Sequence, residues 1–223
     1  MDFFEDFMRK CMEKAGDRTF NNMQELVAVM RQANDLFSQP VSKNVLDSVE
    51  KVDRKEYGGE YNMNPKNVLC EQTMTAPYLH AMYASVFEQL APGAETLLEV
   101  GCGPGTQAAI LAHALPNIHI TTTEIYEGLV MIALSNFKRD GLDKRIKLDH
   151  VGPGIEEQQG SFDCVSVACR MNPQEVGHMR GLVRPGGCLL TPEAPFGSVH
   201  ARLRAYTDGK VTDITGVRFV PFQ

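Results

Sequence analysis

From Glu95 onward, short β-branched and apolar runs alternate with longer stretches of helical period, and this alternation constrains the fold more than any other feature. Strand patterns fall at Thr96–Val100, Ile118–Thr123, Ile146–Val151, Phe162–Ala168 and Cys188–Thr191. Helix patterns fall between them: one up to Leu115, one about Glu127–Phe137 and one about Pro173–Leu182. Strands joined by helices need crossovers, and crossovers make neighbouring strands parallel. The expected fold is therefore α/β, with a doubly wound, mostly parallel sheet. Arg202–Tyr206, the Asp208-Gly209 turn and Val217–Val220 read as antiparallel strands that close it.

The preceding residues read as a helical extension. Phe3, Phe4, Phe7, Met8, Cys11 and Met12 recur one turn apart, and Gly16-Asp17 ends the pattern. Leu26, Val29, Met30, Ala33 and Phe37 form a second stripe, stopped by Pro40, and Val41, Val45, Leu46, Val49 and Val52 a third. Residues 58–72 are polar without a period and read as a loop. Leu79, Met82, Val86, Phe87 and Leu90 then mark a helix with Pro77 in its first turn, where a missing N–H costs nothing. Thr73 and Thr75 precede that helix start, which attracts a carboxylate or phosphate. Simple capping by the threonines is the alternative, and local sequence favours it. The expected organisation is residues 1–92 as helices and a substrate loop packed on a core of residues 93–223, together one domain.

Composition narrows the partners. The formal charge of -6 argues against nucleic acid, which needs a basic face. Lys138, Arg139, Lys144, Arg145 and Lys147 alternate with Asp140, Asp143 and Asp149, as on a solvated face. No apolar run is long enough to cross a membrane. Acids at Asp2, Glu5 and Asp6 stand where a signal peptide carries bases, so a cytoplasmic protein is expected. The six cysteines (Cys11, Cys70, Cys102, Cys164, Cys169, Cys188) never form CxxC and read as reduced, mostly buried thiols. The histidines lack metal-ligand spacing, so no metal is expected. The first helix stripe suits packing on the domain or on a second subunit, hence a monomer or a weak dimer.

The chemistry centres on "LLEVGCGPGTQAAILAHALPNIHITTTEI", residues 97–125. The first strand delivers Gly101-Cys102-Gly103-Pro104-Gly105 to the carboxyl edge of the sheet, where such folds bind ligands. Glu124 follows at the end of the next strand, where a carboxylate can take both ribose hydroxyls. A dinucleotide loop would place its third glycine where Thr106 stands. Here it is Gly105, after an acidic Glu99 inside the strand. The spacing E-x-G-x-G-x-G resembles class I S-adenosylmethionine-dependent methyltransferases, and "LVRPGGCLL" resembles their turn before the fifth strand.

Five further segments narrow the resemblance: "VLDSVEKVDRKEY", "EQTMTAPYLHAMYASVFEQL", "FDCVSVACRMNP", "LVRPGGCLLTPEAP" and "GVRFVPF". With the glycine segment they resemble, in order, the protein-L-isoaspartate O-methyltransferase family over roughly residues 22–222. That resemblance implies methyl transfer from S-adenosylmethionine, leaving S-adenosylhomocysteine, to isoaspartyl carboxylates in damaged peptides and proteins. It implies a Rossmann-like core that holds the cofactor through Glu99, Gly101, Cys102, Gly103, Gly105, Glu124, Ile125 and Gly152. The acceptor carboxylate would lie at Thr73 and Thr75, with His80 one turn into the helix either reaching it or serving as a buried helix histidine.

Several positions depart from the family pattern. Thr75 replaces its serine, Glu71 its glycine before Gln72, and Pro153 the aspartate expected near the adenine, for which Glu156 or Glu157 could substitute. Ala168-Cys169-Arg170-Met171 replaces a small-residue stretch, and Ser198-Val199-His200-Ala201 a glutamine-bearing one. Two other readings follow from these changes: a carboxyl methyltransferase for another peptide or small acid, and a cofactor-deficient domain that binds proteins.

Overall fold

A computed structural model describes residues 2–36, 41–151 and 162–222 of the chain. Helix α1 (Asp2–Ala15) turns Phe7, Cys11 and Ala15, spaced four residues apart, into the core, where all three are buried. They pack beside α2 (Met23–Asn34), α4 (Pro77–Leu90) and the last strand of the sheet, so this stripe faces the chain's own body. The side chains of Phe3 and Phe4 lie outside the described residues.

Asn22 caps α2 by accepting from the Glu25 N–H. The helix ends short of the expected Phe37, at Asn34. Its side chain exchanges two hydrogen bonds with Val41, each 2.8 Å, and fixes the approach to α3 (Lys43–Lys51). Phe37 and Pro40 lie outside the described residues.

The polar stretch read as loop contains more order than expected. β1 (Lys66–Asn67) pairs antiparallel with β2 (Thr73–Met74) across a tight 3-10 turn at Leu69–Glu71. Two-residue strands are too short to leave a period in sequence, which is why the hairpin escapes pattern reading. It runs directly into α4, whose first turn is Pro77.

The main sheet begins with β3 (Thr96–Val100), followed by α5 (Thr106–Ala114), β4 (His119–Glu124), α6 (Glu127–Arg139) and β5 (Ile146–His150). β6 (Phe162–Val167), α7 (Pro173–Gly181), β7 (Val183–Glu193), β8 (Ala201–Thr207) and β9 (Lys210–Val217) complete it. The strand order is β5-β4-β3-β6-β7-β8-β9; the first five are parallel, and β8 and β9 return antiparallel. The chain enters at β3, proceeds outward to one side and crosses back to the other, so the carboxyl end of β3 is the switch point.

Two boundaries move relative to the sequence reading. β7 starts at Val183, not Cys188, because the Pro185-Gly186-Gly187 turn is a bulge within the strand: Phe162 pairs with Val183 and Cys164 with Cys188. β9 occupies Lys210–Val217 directly after the Asp208-Gly209 turn, ahead of the expected Val217–Val220. The tail beyond β9 instead lies against the segment after β6, where Arg170 N–H donates to Val220 O and Phe222 N–H to Arg170 O.

Alternate residues of β3 feed opposite faces, Leu97 the cluster under α1–α5 and Leu98 and Val100 the one under α7. Residues before and after position 92 share the first of these clusters. Among the described residues no helix is long and apolar enough to cross a membrane.

Candidate functional site

The loop after β3 carries three left-handed glycines: Gly101 at φ +91°, Gly103 at +55° and Gly105 at +94°. A Cβ on Gly103 would meet nothing within 4 Å, whereas one on Gly105 would stand 2.6 Å from the Phe137 ring. Gly103 therefore keeps the cavity wall bare, and Gly105 lets α5 seat against α6. The loop's amides are already used. Gly101 and Cys102 N–H donate to Thr123 O, Gly105 N–H to Cys102 O, and Gly103 N–H to Glu124 Oε2 at 2.8 Å.

Glu124 is buried at the end of β4 and accepts three backbone N–H groups, from Gly103, Ile125 and Tyr126. A carboxylate has about four lone-pair positions, so it is firmly oriented and still able to accept from a ligand hydroxyl. Glu99 lies behind the cavity instead of lining it. It is fully buried, pairs across the strands with Thr122 and accepts its hydroxyl, and burial pushes its carboxyl up to about 8. Cys102 and Ile125 line the cavity; Gly152, Pro153, Glu156 and Glu157 lie outside the described residues.

Three buried polar atoms on the cavity wall have no hydrogen-bond partner among the described residues: Thr106 Oγ1, Gln107 Nε2 and His80 Nε2. Unpaired buried polar groups are costly and usually await a ligand or water. Together with the bare backbone at Gly103 and the oriented carboxylate of Glu124, they fit a polar nucleoside bearing an amino-acid tail.

Thr73, Thr75 and Val220 line this cavity and also a second groove of about 950 Å³ on the far side. The threonines come from the hairpin and the turn into α4, and neither hydroxyl has a partner among the described residues. They do not cap α4: its N-cap is Ala76, without a side-chain bond. The helix start is also a weaker anion site than its position suggests, because Pro77 lacks an N–H and the Leu79 and His80 N–H groups both go to Ala76 O.

Arg54 holds this region in place, and the sequence reading assigned it no role. Its guanidinium is almost fully buried and donates to Glu60 O, Thr75 O and Asn64 O at 3.0, 2.7 and 2.9 Å. Burial draws its pKa down to about 10, still far above neutral, so a fixed positive charge stands behind Thr75. The signal was Val52-Asp53-Arg54 before an aromatic, read as a motif without a function. His80 is buried with Nδ1 2.6 Å from Gln107 Oε1. Burial first, and the Arg54 charge second, hold it down to about 3, with the Gln107 bond and the nearby Thr75 backbone opposing them only in part. It is therefore neutral at physiological pH.

Gln72 and Tyr126, within 3.4 Å of each other, and the tail residues Val220–Phe222 complete the cavity. In the sequence neither Gln107 nor Tyr126 is marked as a site residue. No periodicity marks a side chain that serves a site from inside a regular element.

Comparison with known proteins gives a consistent result. The family described as Protein-L-isoaspartate(D-aspartate) O-methyltransferase (PCMT) matches residues 21–223. The protein-L-isoaspartate O-methyltransferase of Azorhizobium caulinodans is 35% identical over 161 residues, covering 69% of this chain and 70% of that protein. The one from Bordetella parapertussis is 35% identical over 162 residues, 68% of this chain but 58% of the relative's length. A Plasmodium falciparum crystal structure, described as a protein-L-isoaspartate O-methyltransferase in complex with S-adenosyl-L-homocysteine, superposes with a TM-score of 0.75. It covers 92% of this chain and 99% of its own at 23% identity, a likeness of fold.

Proposed function

The chain belongs to the protein-L-isoaspartate(D-aspartate) O-methyltransferase family, and from that premise we propose that it methylates the free carboxylate of isoaspartyl residues in damaged peptides and proteins. The observation that carries this reading is the pair of hydroxyls, Thr73 and Thr75, without a partner among the described residues, on the wall shared by the two cavities. A methyl donor on one side and an acceptor on the other would meet there.

S-adenosylmethionine, when bound, supplies a methyl on a positively charged sulfur, which an ionised carboxylate can accept without a base. Thr106 Oγ1 and Gln107 Nε2 are the groups suited to its amino-acid tail, and Glu124 to its ribose. Gly101, Cys102, Gly103 and Ile125 shape the wall between them, with Glu99 setting the strand beneath, Gly105 seating α5 against α6 behind the wall instead of lining it, and Gly152 assigned to the adenine end. On the acceptor side, Thr73 and Thr75 donate to the carboxylate and fix its direction, and orientation of this kind is worth several kcal/mol. Arg54 fixes the Thr75 backbone and biases the site toward an anion. His80, being neutral, can exchange a hydrogen bond but does not protonate the acceptor.

A monomer in a reducing cytoplasm belongs to the same reading. Phe7 and Cys11, from the α1 stripe that could have joined two copies, are buried within one, and all six cysteines are free. The net charge of -6 leaves nucleic acid an unfavoured partner. Calorimetric titration tests the donor side: micromolar affinity for S-adenosylhomocysteine and none for NADH is expected, and the reverse would refute it. Exchanging isoaspartyl for aspartyl in one peptide tests the acceptor side, because equal turnover on both would point to a different carboxylate substrate.

A further inference from the structure

The groove beyond Thr73 and Thr75 has a one-sided charge. Its basic lining consists of Arg170, Arg202, Arg218 and His200, and no aspartate or glutamate lines it among the described residues. In a chain with 28 acidic residues against 22 lysines and arginines, an acid-free wall runs against the average composition. Arg202 is partly neutralised, with Glu5 and Asp213 each at 3.6 Å. Arg170 and Arg218 have no carboxylate partner among the described residues. Arg170 is well anchored all the same: its N–H donates to Val220 O at 2.7 Å and its carbonyl accepts from Phe222 N–H at 2.9 Å, which sets it where tail and sheet meet. Tyr78, Leu79 and Phe219 supply apolar surface along the same groove.

We propose that this groove selects acceptor segments that carry acidic residues beside the isoaspartyl position, and that Arg170 and Arg218 are the side chains that read them. The inference rests on the carboxyl-methyltransferase reading above and names its preferred substrate class. With the reacting carboxylate at the shared threonine wall, flanking residues of an extended peptide run along the groove past both arginines. Guanidinium groups suit this task because their planar donor fork matches a carboxylate. Charges in such an open groove are solvated, so each contact shifts affinity modestly, and added salt screens it.

The test compares two isoaspartyl peptides that differ only in acidic or neutral flanking residues. Steady-state kinetics on the wild-type protein should give a lower KM for the acidic peptide, by about two- to fivefold for each arginine engaged, with kcat unchanged. The advantage should shrink at high salt, fall in Arg170→Gln and in Arg218→Gln, and vanish in the double variant, while Arg170→Lys keeps part of it. S-adenosylhomocysteine affinity should be the same in every variant, which separates peptide reading from misfolding. Equal KM values in the wild type, or a preference that survives the double substitution, would overturn the proposal. If neither peptide is turned over, the catalytic reading fails independently. Fluorescence anisotropy of the two labelled peptides on the protein loaded with S-adenosylhomocysteine then decides this one: tighter acidic binding upholds it, and equal or absent binding overturns it.

Discussion

At the residue scale the proposed acceptor site turns on Thr75, whose backbone and side chain would have separate duties. Its carbonyl is held by buried Arg54, leaving the hydroxyl at the wall between the cavities. Thr75→Val should therefore lower kcat/KM on an isoaspartyl peptide by about 10- to 100-fold, the worth of one hydrogen bond to a charged group, with little change in Tm. Thr75→Ser should remain active; kinetics with a parallel melting curve checks both. His80 supplies a pH signature. Its pKa is about 3 in the fold against 6.5 for a free histidine, so only the unfolded chain takes up its proton as pH falls between those values. The stability it confers is complete above pH 6.5 and is lost as pH falls toward 3. Urea unfolding at a series of pH values should show this slope flattened in His80→Gln; an unchanged slope would mean that the ring is not held neutral. Thr73, Thr75 and His80, which line the cavity, stand out in the sequence because each lies in a motif. Arg54 was visible as a residue, but its role was not, because three bonds to distant carbonyls leave no local pattern.

At the element scale the hairpin and its turn show how backbone conformation explains a departure from the family pattern. Cys70 and Glu71 are both left-handed, at φ 59° and 57°, and Glu71 stands where the family pattern has glycine. A left-handed L-residue costs about 1–2 kcal/mol, which glycine would relieve, but the greater freedom of glycine in the unfolded chain would offset up to about 1 kcal/mol of that gain. Glu71→Gly should thus raise stability in chemical denaturation by about 0.5 kcal/mol, and a clear loss would show that the Glu71 side chain contributes something else. The strong elements could be read directly from sequence: β3, β4, α4 and α6 follow apolar periods long enough to count. β7 and β9 shifted because the register of a bulge and of a polar edge strand depends on the neighbouring strand.

At the scale of the whole molecule, the alternation of strands and helices was sufficient to give the sheet and its switch point. The two cavities sharing one threonine wall were not readable, since they arise where the hairpin, the glycine loop and the C-terminal tail converge from distant parts of the chain. The position of α1 was also open, because an amphipathic stripe does not say which surface it covers. Its buried side, Phe7 included, covers this chain's own core, so Phe7→Ala should destabilise the protein by about 3 kcal/mol in denaturant unfolding. The central claim is methyl transfer to an isoaspartyl carboxylate, and transfer of labelled methyl from S-adenosylmethionine to an isoaspartyl peptide tests it most directly. A base-labile labelled ester on that peptide, and not on its aspartyl counterpart, is the predicted result. No ester, from protein that binds S-adenosylhomocysteine and under conditions where a known family enzyme forms one, would contradict it.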